Sequence, residues 1–401
     1  MIRAKNRYFS LNRIFLLMLG LWPYEQSKLV WLQLILHSGI LGSFIIFQFT
    51  TFATSKCDLQ LVIEILSITS FFFNFVIVYL SFCFNMDVVK HLLELLQHTY
   101  DELKDEDEIA IIENYWNIAK RYTEVLTRKI ISHFLLWKNI WILLNFNYYF
   151  SYYSLVLIVL CVSFFIFSPF LPYIFDVVFS TNESWPHPSL QIVTEYFIDE
   201  DRYFYLIILH ADTAFFIGAL AMLGTGTFLI MYIQHVCGML KIASYRIERV
   251  MTISIQRMSG VRNTNLIHKS IICAIDMHRK ALKLVSIEHI LHMIHRNIKN
   301  LYQVMYQEIL SGCISEKLIQ SVLIMNMYYT YTFLANHMAQ QVMDHNNNVF
   351  ATVYNIQWYT APLQVQKVIL FLLQRGSKTL KIMIGGMFMG SLEGFATVKI
   401  I

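Results

Sequence analysis

Long apolar runs alternate with polar stretches along this chain, and the pattern predicts a bundle of membrane-crossing helices. The first run, Leu29 to Phe49 (LVWLQLILHSGILGSFIIFQF), holds no charge. It is long enough to cross a bilayer as a helix, which takes about 20 apolar residues. The second, Leu61 to Phe84, carries Glu64 near its start and the run FFFNF at Phe71 to Phe75. A polar stretch of helical character follows from Asp87 to Thr127, and its acidic cluster DELKDEDE (Asp101 to Glu108) reads as a solvated linker. Next comes an apolar region from Ile130 to Val178, interrupted only by Lys138 and Asp176, with Pro169 and Pro172 near its end. After an acidic loop, Tyr203 to Ile233 forms another span, with His210 and Asp212 in its first half. Lys241 to Lys283 is polar and basic, and Ala281 to Leu318 is only weakly apolar. Ile319 to Met338 is a further span candidate, and the tail has apolar runs at Val368 to Leu373 and Ile382 to Phe388.

Composition agrees with this class. Hydrophobic residues make up 56% and charged residues 14%, with a mean hydropathy of +0.50. A soluble domain carries about 25% charged residues, so this chain lacks the charge to cover a surface in water. Its 401 residues leave room for roughly six to eight spans. The net charge of +4 comes without a basic patch interleaved with aromatics, which excludes a nucleic-acid partner. The six cysteines, Cys57, Cys83, Cys161, Cys237, Cys273 and Cys313, are scattered with no C-x-x-C pair, so neither a zinc site nor a disulfide scaffold is signalled. No cofactor is implied. The basic start MIRAKNRYFSLNR precedes a short apolar run broken by Trp22, Pro23 and Glu25. No cleavable signal peptide is expected, and the first span serves as the insertion signal.

Charge sets the expected orientation, because Lys and Arg concentrate in cytoplasmic loops. Arg3, Lys5, Arg7, Arg13 and Lys28 precede the first span. Lys241, Arg246, Arg249, Arg257, Arg262, Lys269, Arg279, Lys280 and Lys283 follow Ile233. Ser180 to Arg202 holds one basic and five acidic residues. The N-terminus is therefore expected inside and the acidic loop outside, which holds if the long apolar region crosses once. The expected division is a cytoplasmic segment 1–28, a helix bundle 29–338 and a cytoplasmic segment 339–401. Within the bundle lie an extracellular loop 180–202 and a basic cytoplasmic loop 234–283. Asn182-Glu183-Ser184 is a glycosylation sequon on the outer loop.

Several constellations carry little chemistry. Asp201-Arg202-Tyr203 spells D-R-Y, a motif of G-protein-coupled receptors, but it opens a span on the expected outer side and no N-P-x-x-Y follows. Glu288, His289, His292 and His295 could share a helix face, yet no H-E-x-x-H is present and Arg296 and Lys299 oppose a cation. A polar cytoplasmic face is the better reading. His210 and Asp212 either line a cavity or sit close to the outer interface. No nucleophile, Walker or dinucleotide signature supports an enzyme.

Across most of its length the chain resembles the insect odorant receptors, of the type expanded in ants, bees and wasps. The residues that carry this begin with LNRIFLLMLGLWPYEQS (Leu11 to Ser27) and ENYWNIAKRYT (Glu113 to Thr123). They continue with SPFLPYIFDVVFSTNESWP (Ser168 to Pro186), EYFIDEDRYFYLIILH (Glu195 to His210), GTGTFLIMYIQHVCGMLKIASYRIE (Gly224 to Glu248) and MHRKAL (Met277 to Leu282). Late in the chain stand ANHMAQQVMDHNNNVF (Ala335 to Phe350), YNIQWYTAPLQVQKVILFLLQRGSK (Tyr354 to Lys378) and GGMFMGSLEGFATV (Gly385 to Val398). The resemblance implies an all-α membrane protein with seven transmembrane helices and a cytoplasmic N-terminus. It implies an odorant-gated, non-selective cation channel in the plasma membrane of sensory neurons, in which the odorant-tuned subunit joins a shared co-receptor subunit as a heterotetramer. It also implies an apolar pocket for a small volatile odorant in the outer half of the bundle. By depth and side-chain type, Phe71, Phe72, Phe75, Ile208, Asp212, Phe215, Phe216, Met327, Tyr328 and Tyr331 are the pocket candidates, with ordinary helix packing as the competing role. The segment W-Y-x-x-P-L-x-x-Q-K falls in the family's cytoplasmic anchor and makes Trp358, Tyr359, Pro362, Gln366, Lys367, Gln374 and Arg375 the subunit-assembly candidates.

Three departures from the family pattern mark this chain as an incomplete or partly mispredicted member. The stretch 129–168 is longer than the family's third helix by roughly one span, and RKIISHFLLWKNIWILLNFNYYF within it resembles inserted sequence. The fifth helix is hard to find in 281–318, which is rich in charge. The chain stops at ATVKII, where the family's last pore-lining helix would run. A different multi-pass receptor or transporter, or a non-functional truncated paralogue, is the alternative.

Overall fold

The computed structural model describes residues 9–55, 58–135, 193–256, 261–285, 316–376, 380, 382–384 and 388–397. The apolar region beyond residue 135, most of the acidic loop with Asn182, and 286–315 with its His289, His292 and His295 lie outside the described residues.

The N-terminal segment is built into the fold. Ser10–Met18 forms helix α1, with Asn12, Phe15 and Leu16 buried. It ends in a Schellman turn. Gly20 takes φ 72°, its N–H donates to the Leu17 carbonyl at 3.0 Å, and the Leu21 N–H donates to the Leu16 carbonyl at 2.7 Å. Only glycine adopts that φ without a Cβ penalty. Pro23 then keeps the helix from resuming.

Helix α2 (Lys28–Phe49) starts where the Ser27 hydroxyl accepts the Val30 N–H at 3.3 Å. It is apolar on every side, with Leu29, Trp31, Leu32, Ile35 and Leu36 exposed. A helix apolar all round is at home in lipid, where its backbone bonds are satisfied internally. Short α3 (Thr51–Thr54) extends it. Asp58 caps α4 (Leu59–Phe84) by accepting the Leu59 N–H at 2.8 Å.

The chain bends by 65° into α5 (Met86–Glu102). At the bend, the Asn85 side-chain amide donates to the Ser81 carbonyl at 2.8 Å, and the same oxygen also accepts the Asn85 backbone N–H at 3.2 Å. Helix α5 is amphipathic, burying Val89, Leu92, Leu93, Leu96 and Thr99 at spacings of three and four. Helix α6 (Glu106–Leu135) opens with Glu106, Asp107 and Glu108, which favour the positive end of its dipole.

Helix α7, Glu200–Gln256, is one uninterrupted element of 57 residues. It packs on α1, α2, α4 and α6, on α8 (Val261–Val285) and on α9 (Glu316–Asn355). The expected basic loop 234–283 is therefore mostly helical. Val236, Leu240, Ala243, Ile247 and Met251 are buried at helical spacing, and that burial carries the helix past the end of its apolar run. After a 3-10 turn at Trp358–Thr360 come α10 (Leu363–Gly376), a hairpin of β1 (Met383–Ile384) and β2 (Phe388–Met389), and α11 (Leu392–Thr397). The antiparallel register pairs Met383 with Met389 and Ile384 with Phe388.

Two described helices are long and apolar enough to cross a membrane, Lys28–Thr54 and Arg202–Thr252, and the bent pair Ile68–Phe84 with Met86–Glu102 makes a third if it counts as one span.

The acidic cluster read as a solvated linker is instead the partner of the basic helices. Arg246 reaches both carboxylate oxygens of Glu108 at 2.6 and 2.7 Å, and Glu108 is buried. Tyr245 donates to Asp107 at 2.7 Å, Arg249 pairs with Asp105, and Lys280 reaches both oxygens of Glu102 at 3.1 and 2.8 Å. Hydrogen bonding to Glu102 holds the Lys280 ammonium above its ordinary range.

Helix α8 meets α9 through a buried polar contact, His278 Nε2 to Asn346 Oδ1 at 2.9 Å. Burial pushes the His278 imidazole below its usual range, outweighing the Asn346 bond, and Arg375 nearby adds to the depression. The unfolded chain takes up this proton near pH 6.5, about the free histidine value, while the folded chain resists it. Stability from this site is full above that pH and declines as pH falls below it. Melting curves of the purified chain should therefore drop as pH falls below about 6.5, and His278→Gln should flatten that slope. An identical slope in the variant would assign the pH dependence elsewhere.

Candidate functional site

The pocket candidates on α4 and α7 come together with aromatic residues of α2. Phe71, Phe72 and Phe75 are almost wholly buried, as are Phe44 and Phe215. Phe44 lies 4.4 Å from Phe72 between ring centroids, Phe71 lies 4.5 Å from Phe75, and Phe215 stands 6.0 Å from both Phe71 and Phe75. These are edge, tilted and offset contacts of the kind that add to simple burial. Gly218, one turn after Phe215, lets the Phe75 ring rest against the α7 backbone, and a Cβ built there would overlap the ring.

The remaining candidates divide. Ile208 is buried and Asp212 is half-buried on the same side of α7. Phe216 is 52% exposed and does not turn into the described cluster. A step of 100° around the helix from Phe215 accounts for this. Met327, Tyr328 and Tyr331 belong to α9, but their side chains lie outside the described ones.

Sequence reasoning missed the polar node beside the cluster. Tyr196 precedes α7, and its hydroxyl lies 2.8 Å from His210 Nδ1, while His210 Nε2 lies 3.0 Å from Ser43 Oγ. The Ser43 hydroxyl donates to the Ile40 carbonyl at 3.1 Å. One assignment of protons satisfies the whole chain. Tyr196 donates to Nδ1, the neutral imidazole donates from Nε2 to Ser43, and Ser43 donates to the backbone. Burial raises the Tyr196 phenol far above its ordinary range, so it remains a donor.

The same segment straps the end of α2. The Glu195 N–H donates to the Phe47 carbonyl at 2.9 Å, Thr50 donates to the Glu195 carbonyl at 2.6 Å, and the Tyr196 ring stacks on Phe47 at 4.2 Å. Phe197 has φ 54°, an unusual value for a bulky residue. Phe44 and Phe47 both present edges to His210 at 5.7 and 6.0 Å, which joins the strap to the aromatic cluster. The signal available in the sequence was Ser43, Phe44 and Phe47 on neighbouring turns of α2, together with a histidine inside a span. Tyr196→Phe removes one hydrogen bond, worth about 1 kcal/mol, and should speed amide exchange at residues 193–199 without moving the melting point of the bundle. Unchanged exchange would mean the strap is held by its backbone bonds alone.

The assembly candidates sit on and before α10. Gln366 donates to the Tyr359 and Ala361 carbonyls at 2.8 and 2.7 Å and locks the turn that Pro362 opens. Trp358 is half-buried, whereas Tyr359, Lys367, Gln374 and Arg375 are exposed. Helix α10 buries Val365, Ile369 and Leu372 on one side. On the other, Leu363, Leu370 and Phe371 are exposed. No group of three or more His, Cys, Asp or Glu among the described residues could hold a metal ion.

Comparison with known proteins gives the following. No curated protein matches the chain. Residues 299–400 match the family model described as 7tm Odorant receptor. The structure is similar to the insect olfactory receptor OR5 from Machilis hrabei, with a TM-score of 0.69 and 15% identity over 98% of this chain and 93% of that one. Against the same receptor in complex with eugenol the TM-score is 0.67, at the same identity and coverage. The chain has the fold of an insect olfactory receptor, and its C-terminal quarter carries the odorant-receptor pattern.

Proposed function

We propose that this chain is an odorant-tuned subunit of the insect odorant receptor family. In this reading it binds a small volatile ligand and contributes, with a shared co-receptor subunit, to an odorant-gated cation channel in the plasma membrane. The agreement of two independent likenesses carries the reading: the family pattern over 299–400 and the fold over 98% of the chain. The reading extends to the hymenopteran type, which the sequence motifs resemble.

Seven spans with the N-terminus inside complete the architecture, and the basic α7–α8 region is its cytoplasmic face. The aromatic cluster of α2, α4 and α7 suits an apolar volatile, with Asp212 and the His210 node as the nearby polar groups. Such a ligand opens a pore only if it binds the open state better than the closed one. The exposed apolar side of α10, with Tyr359, Leu363, Leu370 and Phe371, supports a role in subunit contact.

The test is co-expression of the full chain with an odorant co-receptor in cultured cells, scored by inward current across a panel of volatiles. Current that requires this chain and follows at least one volatile is expected. Silence to every volatile, with the heteromer shown at the cell surface, would overturn the reading. A tag at Met1 should be reached by antibody only after permeabilisation.

A further inference from the structure

A cavity of about 710 Å³ lies between the α5–α6 turn, the inner half of α7 and helix α8, away from the aromatic cluster. Its walls carry five Lys and Arg side chains against four carboxylates. The carboxylates are already engaged. Glu108 holds Arg246, Asp105 holds Arg249, Glu102 holds Lys280, and Asp276 is shared by Lys280 and Arg279. Lys104 and Lys269 line the same cavity and make no ion pair with a described residue. Ser270 adds a hydroxyl beside them. The walls therefore present two uncommitted ammonium groups and a hydroxyl, with no carboxylate left free of a cation.

We propose that this cavity binds a soluble, phosphorylated small molecule, whose phosphate is held by Lys104 and Lys269. Lysine ammonium groups bind phosphate as point charges through charge-assisted hydrogen bonds, and a dianionic group matches two of them. The volume is that of a small-molecule site, about 300 to 1,000 Å³, rather than a macromolecular groove. Position argues for a soluble source over a lipid headgroup. The apolar stretch of α7 from Tyr203 to Ile233 is about 46 Å long, enough for a bilayer with its headgroups at about 40–45 Å. Tyr245 stands about 18 Å further along the helix. A ligand there bridges the α5–α6 turn to α8 and adds to the Lys280–Glu102 pair that already joins them. This inference does not depend on the volatile reading.

The test uses the purified full-length chain in detergent. Melting and equilibrium binding are followed with pyrophosphate, ATP and inositol hexakisphosphate as soluble probes, and with phosphatidylcholine vesicles carrying phosphatidylinositol phosphate as the lipid arm. At least one soluble probe should bind saturably and raise the melting temperature. In the double variant Lys104→Gln, Lys269→Gln its affinity should fall by about tenfold or more, the scale of one lost charged contact. The control Lys90→Gln, at an exposed position on α5, should bind as the wild type does. Without probe, all three proteins should melt alike, which separates lost binding from lost folding. The proposal is overturned if no soluble probe binds, if the double variant binds equally well, or if only the vesicles are bound.

Discussion

Glu108→Gln should destabilise the purified chain by about 3 kcal/mol, because removing one partner of a buried ion pair strands the other charge. Arg246 donates to both oxygens of Glu108, and the two side chains are only 20% and 9% exposed. Surface pairs give much less, a median near zero to 1 kcal/mol. Arg279 with Asp276, at 69% and 37% exposure, belongs to that weaker class. Chemical unfolding followed by circular dichroism measures the difference. The double variant Glu108→Gln, Arg246→Met should recover part of the loss, since no charge is then left unpaired. A single variant as stable as the wild type would mean that water reaches the pair and screens it.

Gly218→Ala should cost about 1 to 3 kcal/mol, the range for overpacking a filled core. The added methyl would overlap the Phe75 ring, and that ring is hemmed in by Phe71, Phe72 and Phe215. Neighbours in contact do not behave additively. Phe75→Leu alone should destabilise by leaving space, yet together with Gly218→Ala it should cost less than the sum of the two. Melting of the four proteins gives the coupling directly. Simple additivity would show that the ring turns aside without resistance. If the cluster also holds the volatile, Gly218→Ala should shift the dose–response curve at unchanged surface expression.

What the sequence revealed followed local pattern. The spans at α2 and at the start of α7 were readable because a run of about 20 residues with no charge, or with Asp212 alone, admits few other structures. Phe71, Phe75 and Phe215 were singled out as pocket candidates, and the structure packs them against one another as buried aromatics. The continuation of α7 past Ile233 was harder to see. Lys241, Arg246 and Arg249 make that stretch look like a loop, although Val236, Leu240, Ala243 and Ile247 keep helical spacing. The acidic cluster was misread because its partners lie far away along the chain. Arg246 is 138 residues from Glu108, and no local rule links them. The polar node was missed for the same reason, with Ser43 and His210 separated by 167 residues. Phe216 shows the converse limit. Composition cannot separate two adjacent phenylalanines on a helix, whereas rotation around its axis does.

A helix as long as α7 also works as a lever. Its 57 residues make a rod about 85 Å long, and about 54 Å separate His210 from Arg246. Both positions are pinned, one by the hydroxyls of Tyr196 and Ser43, the other by the carboxylate of Glu108. A tilt of about 5° about the His210 end sweeps the Arg246 end through about 5 Å at the helical rise per residue. That displacement exceeds the 2.6 Å length of the Arg246–Glu108 hydrogen bond. A small rotation at one end of the rod thus becomes a broken contact at the other, with no relay of side chains between them.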